Sequence, residues 1–200
     1  MASIGVAGTC PAGASTAAVY GRAVPLSFLR RDDEARLVRR ARDGDGDAFA
    51  ELYRRHFAAV YRVAFLVCHD TAAAEDIAQE AFLAAVRNLD RFERGRPVRP
   101  WLARIASNRA IDWVRARNRR AESELADVPA AEAGDAATTD AAVLLIARLP
   151  AEQRQVVALR YVLDLTPGEI AALLDLPRGT VNSRLRRGLD ALGATLEEPS

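Results

Sequence analysis

The stretch Leu165 to Arg187, LTPGEIAALLDLPRGTVNSRLRR, constrains this chain more than any other. It predicts two short helices joined by a tight turn. Thr166 is placed to cap the first: its hydroxyl can accept the Glu169 amide, and Glu169 can reach back, with Pro167 at the first helical position. Ile170, Ala171 and Leu174 fall on one face. Asp175, Leu176 and Pro177 break the period, and Pro177 can open a helix but cannot sit inside one. The second helix then buries Val181 and Leu185, four apart. It exposes Arg178, Thr180, Asn182, Ser183, Arg186 and Arg187, with no acid between Arg178 and Arg187. A small, polar and basic surface suits the DNA major groove. Arginine meets guanine edges and phosphates, asparagine meets adenine, and threonine and serine allow close approach. The competing explanation is an ordinary helical hairpin with a solvated basic face. Capping, turn, burial and charge together favour the DNA reader.

Two hundred residues permit one or two domains, and a 50% hydrophobic content supports a real core. Aromatics are few while alanine and leucine dominate, which favours helices over strands. The net charge of +1 hides an asymmetry. From Arg91 to Arg120 only Glu93 and Asp112 oppose a basic run, whereas Ala121 to Asp140 carries acids alone. All 28 Lys+Arg residues are arginine. Arginine suits bidentate contacts to guanine and phosphate, but a GC-rich genome is the stronger explanation for the absence of lysine. Cys10 and Cys68 show no paired metal spacing, and Cys68 beside His69 is not a zinc site. Cys68 is expected to be a small core residue in a reducing, cytoplasmic setting.

Residues 1–31 are rich in Ala, Gly, Ser and Thr, and Pro11 and Pro25 interrupt them. They make a poor signal peptide and are too broken to span a membrane, so a disordered tail is expected. From Asp32 the pattern changes. Leu37, Val38 and Ala41 mark a short helix that Gly44 and Gly46 end, and Asp47 is placed to cap the next. Phe49, Leu52, Tyr53, Phe57, Val60, Tyr61, Ala64, Phe65 and Cys68 follow spacings of three and four. In a third helix Ala74, Ile77, Ala78, Ala81, Ala85 and Leu89 face inward, with Asp76, Gln79, Glu80 and Leu83 on the other side. A fourth, from about Trp101 to Arg117, buries Leu102, Ile105, Ala106, Ala110, Trp113 and Val114. Arg104, Ser107, Asn108, Ile111, Asp112 and Arg115 lie opposite. Residues 121–140 lose periodicity and read as a flexible acidic linker. Periodicity returns at Val143, and Leu149-Pro150 starts a helix through Val156, Val157 and Leu159. The expected fold is therefore all-α, with no strand. Two small helical domains, 32–120 and 141–198, are joined by that linker, and the second contains the helix-turn-helix.

Three segments, DIAQEAFLAAV (Asp76 to Val86), RPWLARIASNRAIDWVRARNRR (Arg99 to Arg120) and LPAEQRQVVALRYVLDLTPGEIAALLDLPRGTVNSRLRRGL, together resemble the extracytoplasmic-function sigma factors of bacterial RNA polymerase. The resemblance covers about residues 32–196. It implies that Asp76, Gln79, Glu80 and Leu83 dock on core RNA polymerase, with Phe82 either joining them or belonging to the core. It implies that the Trp101–Arg120 segment reads the −10 promoter element as single strand. Polar groups of Ser107 and Asn108 would meet base edges, and Arg104, Arg115, Arg119 and Arg120 would meet the backbone. Trp101 and Trp113 are read as core aromatics. The opening motif would read the −35 element in duplex DNA. Asn182 stands where the family usually has a basic residue, and Gly188-Leu189-Asp190 replaces a more basic run, so phosphate attraction should be weaker there.

The resemblance further implies a dissociable specificity subunit in the cytoplasm. Its partners would be core polymerase, promoter DNA and an anti-sigma factor that occludes both domains. Membrane insertion, catalytic residues, metal and cofactor are not expected. A stand-alone helix-turn-helix activator is the alternative, but it leaves the Asp76–Val86 motif and the basic fourth helix unexplained. A serine recombinase would need a nucleophile in a mixed α/β domain, and Ser107 sits in a helical context.

Overall fold

The computed structural model describes residues 18–19, 22–23, 26–93, 95–123 and 141–197. Eight helices occur among them: α1 Leu26–Arg42, α2 Gly46–Cys68, α3 Thr71–Arg87, α4 Val98–Ser123, α5 Ala141–Ala147, α6 Ala151–Val162, α7 Pro167–Leu174 and α8 Arg178–Glu197. The fold is all-α. Against the expectation of no strand, a two-residue antiparallel ladder pairs Ala18 with Ala23 and Val19 with Arg22. It lies in the segment read as a tail, outside the helical body. Helix α1 also starts inside that segment, at Leu26. Residues 124–140, most of the expected linker, lie outside the described residues, and 121–123 are the end of α4.

Gly44, at φ 91°, sits in the left-handed region that glycine adopts freely, and it closes α1. Asp45, not Asp47, then caps α2: its carboxylate accepts the amides of Asp47 and Ala48, both at 3.0 Å. The position of the turn decides between two aspartates two residues apart. His69 ends α2 in the left-handed conformation, and Asp70 caps α3 by accepting the Ala73 amide at 2.9 Å.

Helix α2 is the centre of the first domain. Leu52, Val60, Val63, Ala64 and Val67 on it are buried against α1, α3 and α4. The alanines Ala74, Ala78, Ala81 and Ala85 line the buried face of α3 and let the helices approach closely. Phe82 is core: it packs between Tyr53, at 4.7 Å, and Phe49 and Phe57, each at 6.3 Å. The aromatics Tyr53, Phe57, Tyr61 and Phe65 stack along one half-buried flank of α2 rather than pointing into the core.

In the second domain Val156, Val157, Ala158 and Leu159 are buried in sequence, so α6 is enclosed on every side. One side is covered by α8 and α7, and the other by α2 and α4 of the first domain. The two domains share one continuous apolar core. Burying Leu159 alone is worth roughly 1.5–3 kcal/mol. No helix is long and apolar enough to cross a membrane among the described residues.

Candidate nucleic-acid interface

The helix-turn-helix forms as its local chemistry dictates. Thr166 Oγ1 accepts the Glu169 amide at 3.3 Å, and Glu169 Oε2 accepts the Thr166 amide at 2.7 Å. The Thr166 hydroxyl and amide together hold the Glu169 carboxyl below its ordinary value. Asp175 takes φ 55° at the turn, and the Leu176 amide donates to the Ala171 carbonyl at 3.0 Å. The Pro177 carbonyl accepts the amides of Thr180 and Val181 and so opens α8.

On α8, Val181 and Leu185 are buried, while Arg178, Asn182, Arg186 and Arg187 are exposed. Thr180 and Ser183 are half-buried, and the Ser183 hydroxyl donates back to the Thr180 carbonyl at 3.0 Å. Gly188 is where α8 crosses α6. A Cβ there would meet Val157 Cγ2 at 3.4 Å and Leu149 Cδ1 at 3.5 Å. These are ordinary van der Waals distances, so a Cβ fits, while a longer side chain would have to displace these groups or turn away from them. Asp190 lies 3.6 Å from Arg186 and offsets part of its charge.

On α4, Arg104, Asn108, Arg115, Arg119 and Arg120 are exposed. An open cleft of about 600 Å³ runs between α3 and α4, walled by Asn88, Arg91, Trp101, Arg104, Asn108 and Arg109. Trp101 packs on Phe92 with ring centroids 4.7 Å apart, so one face is core and the other borders this cleft. Trp113 is likewise half-buried and carries the Arg117 guanidinium 5.3 Å from its ring centre. The segment leading into α4 is anchored from outside. Arg42 donates to the Leu89 carbonyl at 2.8 Å and to the Phe92 carbonyl at 2.9 Å.

Two residues do not lie where their spacing suggests. Ser107 and Ile111, expected on the exposed face of α4, are buried, Ser107 completely. The cause is α6. Gln155 Nε2 donates to Ser107 Oγ at 3.1 Å and to Asn108 Oδ1 at 2.9 Å. Beside it, Arg115 donates to Glu152 at 3.1 Å. The Glu152 backbone amide and then Arg115 hold this carboxyl below its ordinary value.

On α3, Asp76, Gln79, Glu80 and Leu83 are all exposed on one side, as expected. Leu83 is 57% exposed and Val86, one turn further, 48%. Val86 extends this apolar-acidic strip, and its spacing of three from Leu83 is the signal that identifies it. Glu80 is not an isolated acid. It accepts from Arg109 of α4 at 2.6 Å, which ties the acidic face to the basic helix.

Two titrating groups lie at the junction of α2 and α6. Burial pushes the Cys68 thiol up to about 11. Burial and then the nearby Arg154 guanidinium push His69 down to about 4. Among the described residues no three His, Cys, Asp or Glu side chains come together as metal ligands.

Comparison with known proteins gives these surfaces a common context. Residues 52–120 match the family described as Sigma-70 region 2, and residues 139–192 match Sigma-70, region 4. The chain is thus built as a sigma-70-type factor, with its two matched regions in the two helical domains. It is 34% identical over 178 residues to the ECF RNA polymerase sigma factor SigW of Bacillus subtilis, spanning 80% of this chain and 95% of that one. It is 32% identical to SigM of Mycobacterium tuberculosis, spanning 88% and 91%. A solved structure of CnrH in complex with the cytosolic domain of CnrY superimposes with TM-score 0.64 at 28% identity, covering 84% of this chain and all of that one. The chain belongs to the extracytoplasmic-function sigma factors, which are initiation factors of transcription and not enzymes.

Proposed function

We propose that this sigma factor docks on core RNA polymerase through Asp76, Gln79, Glu80, Leu83 and Val86. It reads the −35 element with Arg178, Thr180, Asn182, Ser183, Arg186 and Arg187. It captures unstacked −10 bases along α4 through Asn108, Arg104, Arg115, Arg119, Arg120 and, once uncovered, Ser107. The single observation that carries this reading is the division of labour within one chain. An acid-free reading face on α8 and a basic cleft-lined face on α4 stand beside the apolar-acidic strip of α3.

The chemistry suits each target. Arg178 at the start of α8 can reach a guanine edge, and the α4 cleft offers an amide and guanidinium groups to a base removed from the stack. Each reader alone is weak. Fixing both on one polymerase raises their effective concentration, so promoter selection arises from their combination. The working units are the two helical domains, α1 to α4 and α5 to α8. The site of action is the cytoplasm. The solved complex of CnrH with the cytosolic domain of CnrY supports a protein partner for this chain as well, and the reading gives that role to an anti-sigma factor.

The test is transcription in vitro from one promoter and its −10 and −35 variants. Arg178→Ala should lower initiation about 5- to 160-fold through the −35 element, from the roughly 1–3 kcal/mol of a bidentate contact. Asn108→Ala should act through the −10 element instead. If both variants respond to the same element, the assignment of readers to helices is wrong.

A further inference from the structure

The turn between α3 and α4 is gripped by a single residue of α1. We propose that Arg42 is a positioning residue for the −10 reader: it fixes the part of the cleft wall that carries Arg91 and Trp101, and so sets how sharply the chain discriminates between −10 bases. This rests on the assignment of α4 and its cleft as the −10 reader.

The grip is directional. Arg42 is the last residue of α1, and its side chain is only 17% exposed. Its Nη2 donates to the Leu89 carbonyl at 2.8 Å and to the Phe92 carbonyl at 2.9 Å, and its Nε donates to the Leu89 carbonyl at 3.2 Å. The Asp90 carboxylate lies 3.8 Å away and is largely exposed, so charge pairing adds little. A planar guanidinium can hold two carbonyls in one fixed geometry, and an ammonium group lacks that fork. The turn's own hydrogen bonds are short-range: the Arg91 amide donates to the Asn88 carbonyl at 3.0 Å, and the Phe92 amide to the Leu89 carbonyl at 3.2 Å. Leu89 and Phe92 are also buried. Apolar burial is non-directional and anchors the turn in depth, whereas hydrogen bonds to its carbonyls fix its rotation.

What that rotation places is the wall of the cleft. The two gripped carbonyls bracket Asp90 and Arg91 in the chain, and Arg91 lines the cleft with Asn88, Trp101, Arg104 and Asn108. The Phe92 ring packs on Trp101 with centroids 4.7 Å apart, so a shift of Phe92 carries the Trp101 ring with it. Asn88 is tied from the other side, its side-chain amide donating to the Ala84 carbonyl of α3 at 2.8 Å. The wall is thus fixed at one end by α3 and at the other by α1. Choosing between unstacked bases needs polar groups and ring faces held to within about 0.5 Å, whereas attraction for the phosphate backbone carries no sequence information. Arg42 is not itself part of the cleft lining. It therefore acts through Arg91 and Trp101, on discrimination more than on overall affinity.

The experiment uses the full chain with core RNA polymerase on a promoter taken from its own transcription starts, with the −10 and −35 elements randomised in turn. Sequencing the transcripts gives the ratio between favoured and disfavoured bases at each position. Arg42→Ala should flatten this ratio about fivefold at a subset of −10 positions, part of what one base contact is worth, with −35 ratios and polymerase binding unchanged. Arg42→Lys should flatten it nearly as much, because the fork and not the charge does the holding. Arg91→Ala should flatten the same positions, and adding Arg42→Ala to it should change little further. Asp45→Ala controls for stability: it removes the cap of α2 at the neighbouring turn, destabilises the same domain, and should leave the −10 ratios as in wild type. A uniform loss of transcripts with unchanged ratios would overturn the inference. So would full recovery by Arg42→Lys, or flattening by Asp45→Ala equal to that by Arg42→Ala. If Asn108→Ala flattens −10 ratios and Arg42→Ala does not, the positioning role fails and the reading of α4 stands. If neither variant changes a −10 ratio, the reading of α4 falls with it.

Discussion

His69 makes stability depend on pH in a way that can be worked out from its surroundings. It closes α2 at φ 53°, donating its amide to the Phe65 carbonyl at 2.8 Å. Burial first, and Arg154 second, lower its pKa from 6.5 to about 4. The folded chain thus prefers the neutral ring, while the unfolded chain takes a proton as soon as pH falls below the ordinary value. The stability held by the neutral ring is complete above pH 6.5, is lost as pH falls towards about 4, and is constant below that. Between pH 7.5 and pH 5 the loss is about 2 kcal/mol, and allowing for partial exposure of the ring leaves about 1–2 kcal/mol. The rest of the chain adds its own pH dependence, so the difference between two proteins is what matters. His69→Asn removes the titration and keeps the left-handed cap, which asparagine tolerates. Urea unfolding followed by circular dichroism at both pH values should show wild type losing about 1–2 kcal/mol more than the variant. Equal losses would refute the claim that this ring is held neutral against the Arg154 side of α6.

Two further outcomes follow from the helix-turn-helix. Thr166→Ala removes the hydroxyl that accepts the Glu169 amide, while the backbone amide at 166 still donates to the Glu169 carboxylate, and it should destabilise the second domain by about 1 kcal/mol, read as a lower urea midpoint with an unchanged slope. Gly188→Arg adds a cation but sets a long side chain against Val157 and Leu149. Thermal unfolding should therefore fall by several degrees and duplex DNA binding should weaken; a variant that binds duplex more tightly at undiminished stability would show that the α6–α8 crossing has room to spare.

The elements whose causes are local were legible in the sequence. The capping box, Pro177 and the Val181–Leu185 pair lie within a few residues of what they control, and α7 and α8 form as their pattern predicts. The outward set Asp76, Gln79, Glu80 and Leu83 was legible for the same reason, because α3 has one clean alanine face. Features set by distant residues were not. Ser107 and Ile111 sit at polar-face positions of α4, yet α6 covers them from 48 residues away in the case of Ser107. The burial of α6 on all sides was hidden because Arg154 and Gln155 are residue types rarely enclosed in a core, and only the packed neighbours show that they are. Likewise the Glu80–Arg109 pair bridges two helices whose separate patterns are silent about each other. Asp45 and Asp47 differ only by where Gly44 turns the chain, which no propensity resolves.

The central claim is that this chain gives core RNA polymerase a promoter specificity. The most direct test mixes the purified protein with core enzyme on genomic DNA and sequences the 5′ ends of the transcripts. The prediction is a set of starts that occur only when the protein is present, each downstream of a shared two-part motif. No new starts, with the protein alone shifting duplex DNA, would contradict it and point to a stand-alone helix-turn-helix activator instead.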